Sequence, residues 1–232
     1  MRTRTLSLRL SLLAAFNSFA PAASAVSIDW ITVGDPGNAC DVQSQGCFGA
    51  VADTYRISKT EATNSQYAEF LNAVAAADPN ALYSTNMGSS PFGGITQSGA
   101  SGSFSYSVNS GFADKPVNFV SFYDSLRFAN WLHNGQPTGA QGSTTTEGGA
   151  YTITAAGIAA NSIARNAGAT IFLTSEDEWG RVVEGARHAL QGPLESPPSR
   201  WRSSLKGRRV CASRRRWSAC SFSWPIGSPR RR

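Results

Sequence analysis

Charge is scarce in this chain. Asp, Glu, Lys and Arg make up 16% of its 232 residues, and there are only 2 His, 2 Met and 4 Cys. So little charge beside 22 Gly argues against a helical bundle and for a loop-rich fold. Hydrophobic residues, at 41%, fall below the usual globular share. A chain of this length still has room for one ordinary domain, or two small ones, with a buried core. Long apolar runs are also missing. The stretch Leu10-Ser11-Leu12-Leu13-Ala14-Ala15-Phe16 is far short of the roughly 20 residues that cross a bilayer. No second run is longer, so no membrane anchor is expected. Histidine and cysteine never gather into a zinc-like set, so no metal site is expected.

Acidic residues are nearly absent from both ends. Residues 1–25 hold three Arg and no acid, and residues 188–232 hold eleven Lys or Arg against one acid. Between them, residues 26–187 carry seven Lys or Arg against fourteen Asp or Glu. The formal net charge of +6 is therefore the sum of a basic start, an acidic body and a basic tail, and it says little about what the body binds.

The first 25 residues read as an export signal. Arg2, Arg4 and Arg9 form a basic start, the short apolar run follows, and Ala23-Ser24-Ala25 supplies an A-x-A cleavage site. This order fits a signal peptide better than an amphipathic first helix. Cleavage is expected after Ala25, with the mature protein secreted or periplasmic. Export sets the reading of Cys40 and Cys47, which lie close together in a loop with Gly and Asp. In an oxidising compartment a disulfide is favoured over free thiols or half of a metal site.

Along the body, Val26 to Val33 and Val51 to Ser58 read as strands, with Val51, Tyr55 and Ile57 on one side of the second. Thr63 and Gln66 make a capping-box pair that opens a helix with Tyr67, Phe70, Leu71 and Val74 on its apolar face, ending by Asp78-Pro79. A Gly/Ser/Asn-rich stretch from Tyr83 to Phe112 contains a small hairpin around Ser103–Val108. Val117 to Val120 reads as a short strand. Ser121 and Asp124 form a second capping box, for a helix that buries Phe122, Leu126, Ala129 and Leu132 and ends near His133-Asn134-Gly135. His133 is read as a helix-end residue near the last carbonyls rather than a catalytic group. Tyr151-Thr152-Ile153 and Ala169–Leu173 read as strands. A third helix opens at Thr174-Ser175-Glu176-Asp177-Glu178-Trp179 and continues its face through Val182, Val183 and Ala186. Its three neighbouring carboxylates could serve a metal or acid/base chemistry, but the helix cap and dipole account for them fully.

Three segments in order carry a resemblance. Tyr55-Arg56-Ile57-Ser58-Lys59-Thr60-Glu61-Ala62-Thr63-Asn64-Ser65-Gln66-Tyr67-Ala68-Glu69-Phe70 is similar to a "strand, K-x-E-V-T-N-x-Q-[FY], helix" opening. Lys115-Pro116-Val117-Asn118-Phe119-Val120-Ser121-Phe122-Tyr123-Asp124, with Ala129 and Trp131, resembles "P-V-x-x-V-S-W-x-D-A". Phe172-Leu173-Thr174-Ser175-Glu176-Asp177-Glu178-Trp179 resembles "R-L-P-T-E-A-E-W-E". Together they resemble the sulfatase-modifying-factor, or formylglycine-generating-enzyme, domain in its exported bacterial form, over about residues 28–187.

The resemblance implies an α+β, loop-rich fold of the C-type-lectin type, incomplete at its C-terminal side. It implies a partial domain over 26–187 between the signal peptide (1–25) and an Arg-rich tail (188–232). Full-length members carry calcium loops, an R-G-G-S-W segment and a copper-binding redox cysteine pair further on, and none of these is found here. Cys211 and Cys220 sit among arginines that match no family segment, so no catalytic residue and no cofactor is assigned. The tail reads either as a stretch for an anionic surface, with Trp201, Trp217 and Trp224 between Arg clusters, or as a frameshifted frame. Export argues against nucleic acid as a partner. The expected function is an exported member of the family that is non-catalytic as given. The alternatives are an active oxidase converting a sulfatase cysteine to formylglycine, and a lectin-like module for a protein or glycan ligand.

Overall fold

Thr63 stands in extended backbone, accepts from the Gln66 amide and receives the Gln66 side chain in return. This capping box satisfies two N–H groups that would otherwise have no helical partner. It starts helix α1 (Asn64–Val74), whose Tyr67, Phe70, Leu71 and Val74 are all buried. Ser121 and Asp124 repeat the device at the start of helix α3 (Phe122–His133).

The computed structural model describes residues 25–44, 46–182 and the backbone of 226–229. In chain order the elements are β1 (Trp30–Val33), β2 (Asp41–Gln43), β3 (Gly46–Phe48), β4 (Tyr55–Ser58), α1, α2 (Asn86–Ser89), β5 (Ile95–Ser98), β6 (Ser105–Val108), α3, α4 (Ala155–Ala160), β7 (Phe172–Leu173), α5 (helical over 176–182) and β8 (Ile226–Pro229). The mixture of helices with small sheets is α+β. One four-stranded sheet has the order β1-β4-β8-β7, and β2-β3 and β5-β6 are separate hairpins.

Aromatic packing joins the two long helices. Phe70 of α1 has no exposed surface and touches Tyr67, Phe128 and Trp131 at ring separations of 5.3–5.4 Å. Rings at that spacing favour edge and tilted contacts, and each such pair contributes about 0.5–1.5 kcal/mol beyond area burial. Helix α3 is buried on two sides. Phe128, Trp131 and Leu132 face α1 and the β5-β6 hairpin. Leu126 and Ala129 face Ala150, Tyr151, Ile153, Phe172 and Leu173.

Loops dominate the rest, and their backbone groups find side-chain partners. Asn64 Nδ2 donates to the carbonyls of Phe112 and Lys115. Asn72 both donates to and accepts from the backbone of Tyr106, docking β6 on α1. Asn130 is wholly buried, donates to the carbonyls of Thr146 and Tyr151, and accepts from Tyr151 N. Asn134 donates to the carbonyls of Thr145 and Gly148. Arg127, also buried, holds the same loop through a two-pronged pair with Glu147 at 2.7 and 3.2 Å and reaches Asp124 at 3.3 Å. Burial pushes the Asp124 carboxyl up despite Ser121 and Arg127, which pull it down. Burial also works against the Arg127 charge, but its contacts with Glu147 and Asp124 leave its pKa raised.

Several sequence expectations are corrected. Val117–Val120 is not a strand. Proline has no N–H for a ladder, Pro116 makes only an isolated bridge with Thr63, and Phe119 adopts a left-handed backbone with φ 65°. Tyr151 likewise makes only a bridge, with Arg165. Phe122 is exposed, because it occupies the first position of α3 beyond the buried zone, and Phe128 and Trp131 fill the core instead. α1 ends at Val74, before Asp78-Pro79, and the strand expected over Ala169–Leu173 shortens to Phe172–Leu173. The Arg-rich tail, which matches no family segment, pairs with β4 and β7 at Ile226–Pro229. Residues 1–24, Val183 and Ala186 lie outside the described residues.

Four of the six tyrosines have hydroxyls that burial drives upward: Tyr55, Tyr67, Tyr106 and Tyr151. Tyr106 is pushed up to about 12. A folded pKa above the unfolded one gives stability that is full below the unfolded value and lost as pH rises towards the folded one. The tyrosine contribution to stability is therefore expected to be constant up to about pH 10 and to fall between there and about 12. Urea unfolding across that range checks it, and Tyr106→Phe should make the decline shallower.

Candidate functional site

Of the chemistry-bearing side chains singled out in the sequence, Cys40, Cys47 and the acids at the start of α5 lie at one junction, where the cysteine loop rests on that helix. Cys40 and Cys47 are bonded to one another, with Cα atoms 5.4 Å apart. The bond closes the β2-β3 hairpin, in which Asp41 faces Phe48 and Val42 faces Cys47. The base of the loop is tied by backbone and amide contacts. Gly37 N donates to Val51 O at 2.7 Å, Asn38 Nδ2 donates to Gly49 O at 2.7 Å, and Asn38 Oδ1 accepts from Val51 N at 3.2 Å. Opposite Cys47, Val42 is 82% exposed. A staple of this kind holds an apolar side chain in water at a fixed position.

Two of the three acids of α5, Asp177 and Glu178, hold this loop and the helix start. Glu178 closes a capping box: its carboxylate accepts from Ser175 N at 2.7 Å, and its own N–H donates to Ser175 Oγ at 3.1 Å. Arg165 Nη1 reaches the same carboxylate at 2.9 Å, and its guanidinium lies 4.0 Å from the centre of the Phe172 ring. Asp177 Oδ1 accepts from Gly49 N at 3.1 Å, joining helix to loop. Glu176 is exposed. A second ion pair, Arg181 Nη2 with Asp35 Oδ2 at 2.6 Å, crosses the same junction. Tyr55 donates its hydroxyl to Glu178 O, and burial, reinforced by the Glu178 charge, raises that hydroxyl. Gly180 eases the close approach, because a Cβ there would lie 3.2 Å from Gly49 N. Trp179 and Val182 pack against Val51, Tyr55 and Ile57.

The acids therefore do structural work at a helix start. Among the described residues no group of three His, Cys, Asp or Glu is placed to hold a metal ion. His133 sits apart from this junction. Its Nδ1 accepts from Thr170 N at 3.1 Å and faces Thr170 Oγ1 at 2.7 Å, tying the end of α3 to the approach to β7 rather than to the last helical carbonyls. Cys211 and Cys220 lie outside the described residues. Sequence reasoning did not find Asp35, Arg165 or Arg181, because each partner is set by folding, as far as from residue 35 to residue 181. The one available signal was the pairing of basic residues with an acid-rich helix start.

A copper ion binds through thiolate sulfur. Cys40 and Cys47 share a disulfide and offer none, so this sulfur pair does not fit a copper site.

Capped helices, small sheets and amide-tied loops around a stapled hairpin define an α+β domain whose chemistry-bearing groups hold its loops in place. A family model described as the sulfatase-modifying factor enzyme 1-like domain matches residues 49–205. The chain belongs to this family. The match takes in all three segments on which the resemblance rests, begins after the disulfide and runs beyond residue 187. Comparison with curated proteins gives no match, and comparison with solved structures gives none.

The staple should matter locally. Cys40→Ser with Cys47→Ser is expected to cost about 2 kcal/mol, the loop-closure value for a short ring, measured by urea unfolding. Alkylation without reductant should leave Cys40 and Cys47 unlabelled in the intact mass.

Proposed function

We propose that this is an exported member of the sulfatase-modifying-factor family that recognises a protein or glycan through its surface loops and does not oxidise cysteine. The observation that carries the reading is the Cys40–Cys47 disulfide. Thiol oxidation by molecular oxygen at a soft copper ion requires thiolate ligands in fixed geometry, and these two sulfurs are taken up by each other. The same bond supports recognition. It fixes a hairpin whose outward Val42 is stiffened beforehand, so less ordering is lost when a partner docks. A loop-rich domain of C-type-lectin type, which the family resemblance suggests, suits such presentation.

The assay is direct. The purified mature protein, incubated with copper and a sulfatase-derived cysteine peptide, is expected to yield no aldehyde by mass spectrometry. Turnover lost on Cys211→Ser or Cys220→Ser would establish the alternative, an active formylglycine-generating oxidase. Turnover lost on Cys40→Ser would place the redox pair in the hairpin.

Export is part of the proposal, and it rests on the basic, apolar and A-x-A order of residues 1–25. N-terminal sequencing of the exported protein is expected to begin at Val26. A start at Met1 would remove the signal peptide from the reading. No described helix is long and apolar enough to cross a membrane.

A further inference from the structure

The central sheet contains a slot. Its order is β1-β4-β8-β7, so β4 and β7 do not pair with each other, and both pair antiparallel with Ile226–Pro229. Within that segment Gly227 lies opposite Ile57 on one side and Phe172 on the other. One short stretch of backbone bridges two strand edges.

Both walls of the slot are held by contacts that do not involve β8. On one side, β4 pairs with β1 over Tyr55–Ser58, and Tyr55 and Ile57 pack with Val51, Val33, Trp179 and Val182. On the other, Leu173 N donates to the Tyr151 hydroxyl at 3.0 Å, and Arg165 covers the Phe172 ring. By contrast, Ile-Gly-Ser-Pro is a poor strand former. Glycine and proline are depleted in strands, and Gly in a strand interior weakens it. The segment is extended because the slot makes it so. It also carries no charge, and residues 183–225 separate it from the body.

We propose that the slot between β4 and β7 is a strand-acceptor site for an extended, uncharged peptide with glycine at its centre, and that Ile226–Pro229 is an exchangeable occupant. Recognition is through main-chain hydrogen bonds to two edges, the mode in which an added strand completes a sheet. A second molecule offering the same kind of segment would compete with the chain's own, at a disadvantage set by the high effective concentration of a tethered strand.

The test uses the full chain. Gly227→Pro removes the central N–H and should expel the segment. Amide exchange at Tyr55–Ile57 and Phe172–Leu173 is expected to speed up by roughly tenfold or more in this variant. Excess synthetic peptide spanning residues 223–230 should restore the slow exchange, and the same peptide with Gly227→Pro should not. Unchanged protection in the variant would overturn the proposal, because the segment would not be holding the slot. Lost protection that the unaltered peptide cannot restore would overturn exchange in trans. Equal rescue by both peptides would overturn backbone recognition. Peptide rescue decides the matter even if the variant unfolds as a whole, since protection must then return to α1 and α3 as well.

Discussion

A buried backbone N–H or C=O that leaves a helix or strand must still be hydrogen-bonded, or it costs about 1–3 kcal/mol. A chain with long Gly, Ser and Thr stretches meets this constraint at many positions. Side-chain amides answer it. Asn64 and Asn130, with Asn134 just past the end of α3, reach loops, and Asn72 reaches β6. The two helices thereby act as posts, and the loops hang from them at fixed points. Aromatic packing between the posts, centred on Phe70, makes that attachment rigid. Loss of either helix would leave these loops without partners for their buried carbonyls.

Sequence legibility followed the range of the interaction. Both capping boxes, at Thr63 with Gln66 and at Ser121 with Asp124, were readable because each is complete within four residues. The same is true of the Ser175–Glu178 start of α5. The apolar face of α1 was readable because that helix buries one stripe. α3 was misread at Phe122 because it is buried against two clusters at once, so no single stripe marks its inner side. Val117–Val120 misled for another reason. Its composition suits a strand, but Pro116 and the left-handed Phe119 leave it no ladder to join.

At the candidate site the cysteines and acids were visible, and their relation to one another was not. Nothing local links Gly49 with Asp177, or Asp35 with Arg181. The acids look like a reactive cluster in one dimension. In three, Glu178 is both a cap and the partner of Arg165, Asp177 anchors the hairpin, and Glu176 is exposed. Membership of the sulfatase-modifying-factor family was legible for the opposite reason. Its three segments each coincide with a strand or extended run entering a capped helix, which is where sequence and local structure constrain each other most tightly.

The β4-β8 pairing has a consequence for biogenesis. Tyr55 lies opposite Pro229, so a chain emerging N-terminus first makes the two partners far apart in time. At the usual synthesis rate of about 5–20 residues per second, β4 waits on the order of ten seconds or more for its neighbour. During that interval one edge of β4 stays open, and an open strand edge is a template for pairing with other chains.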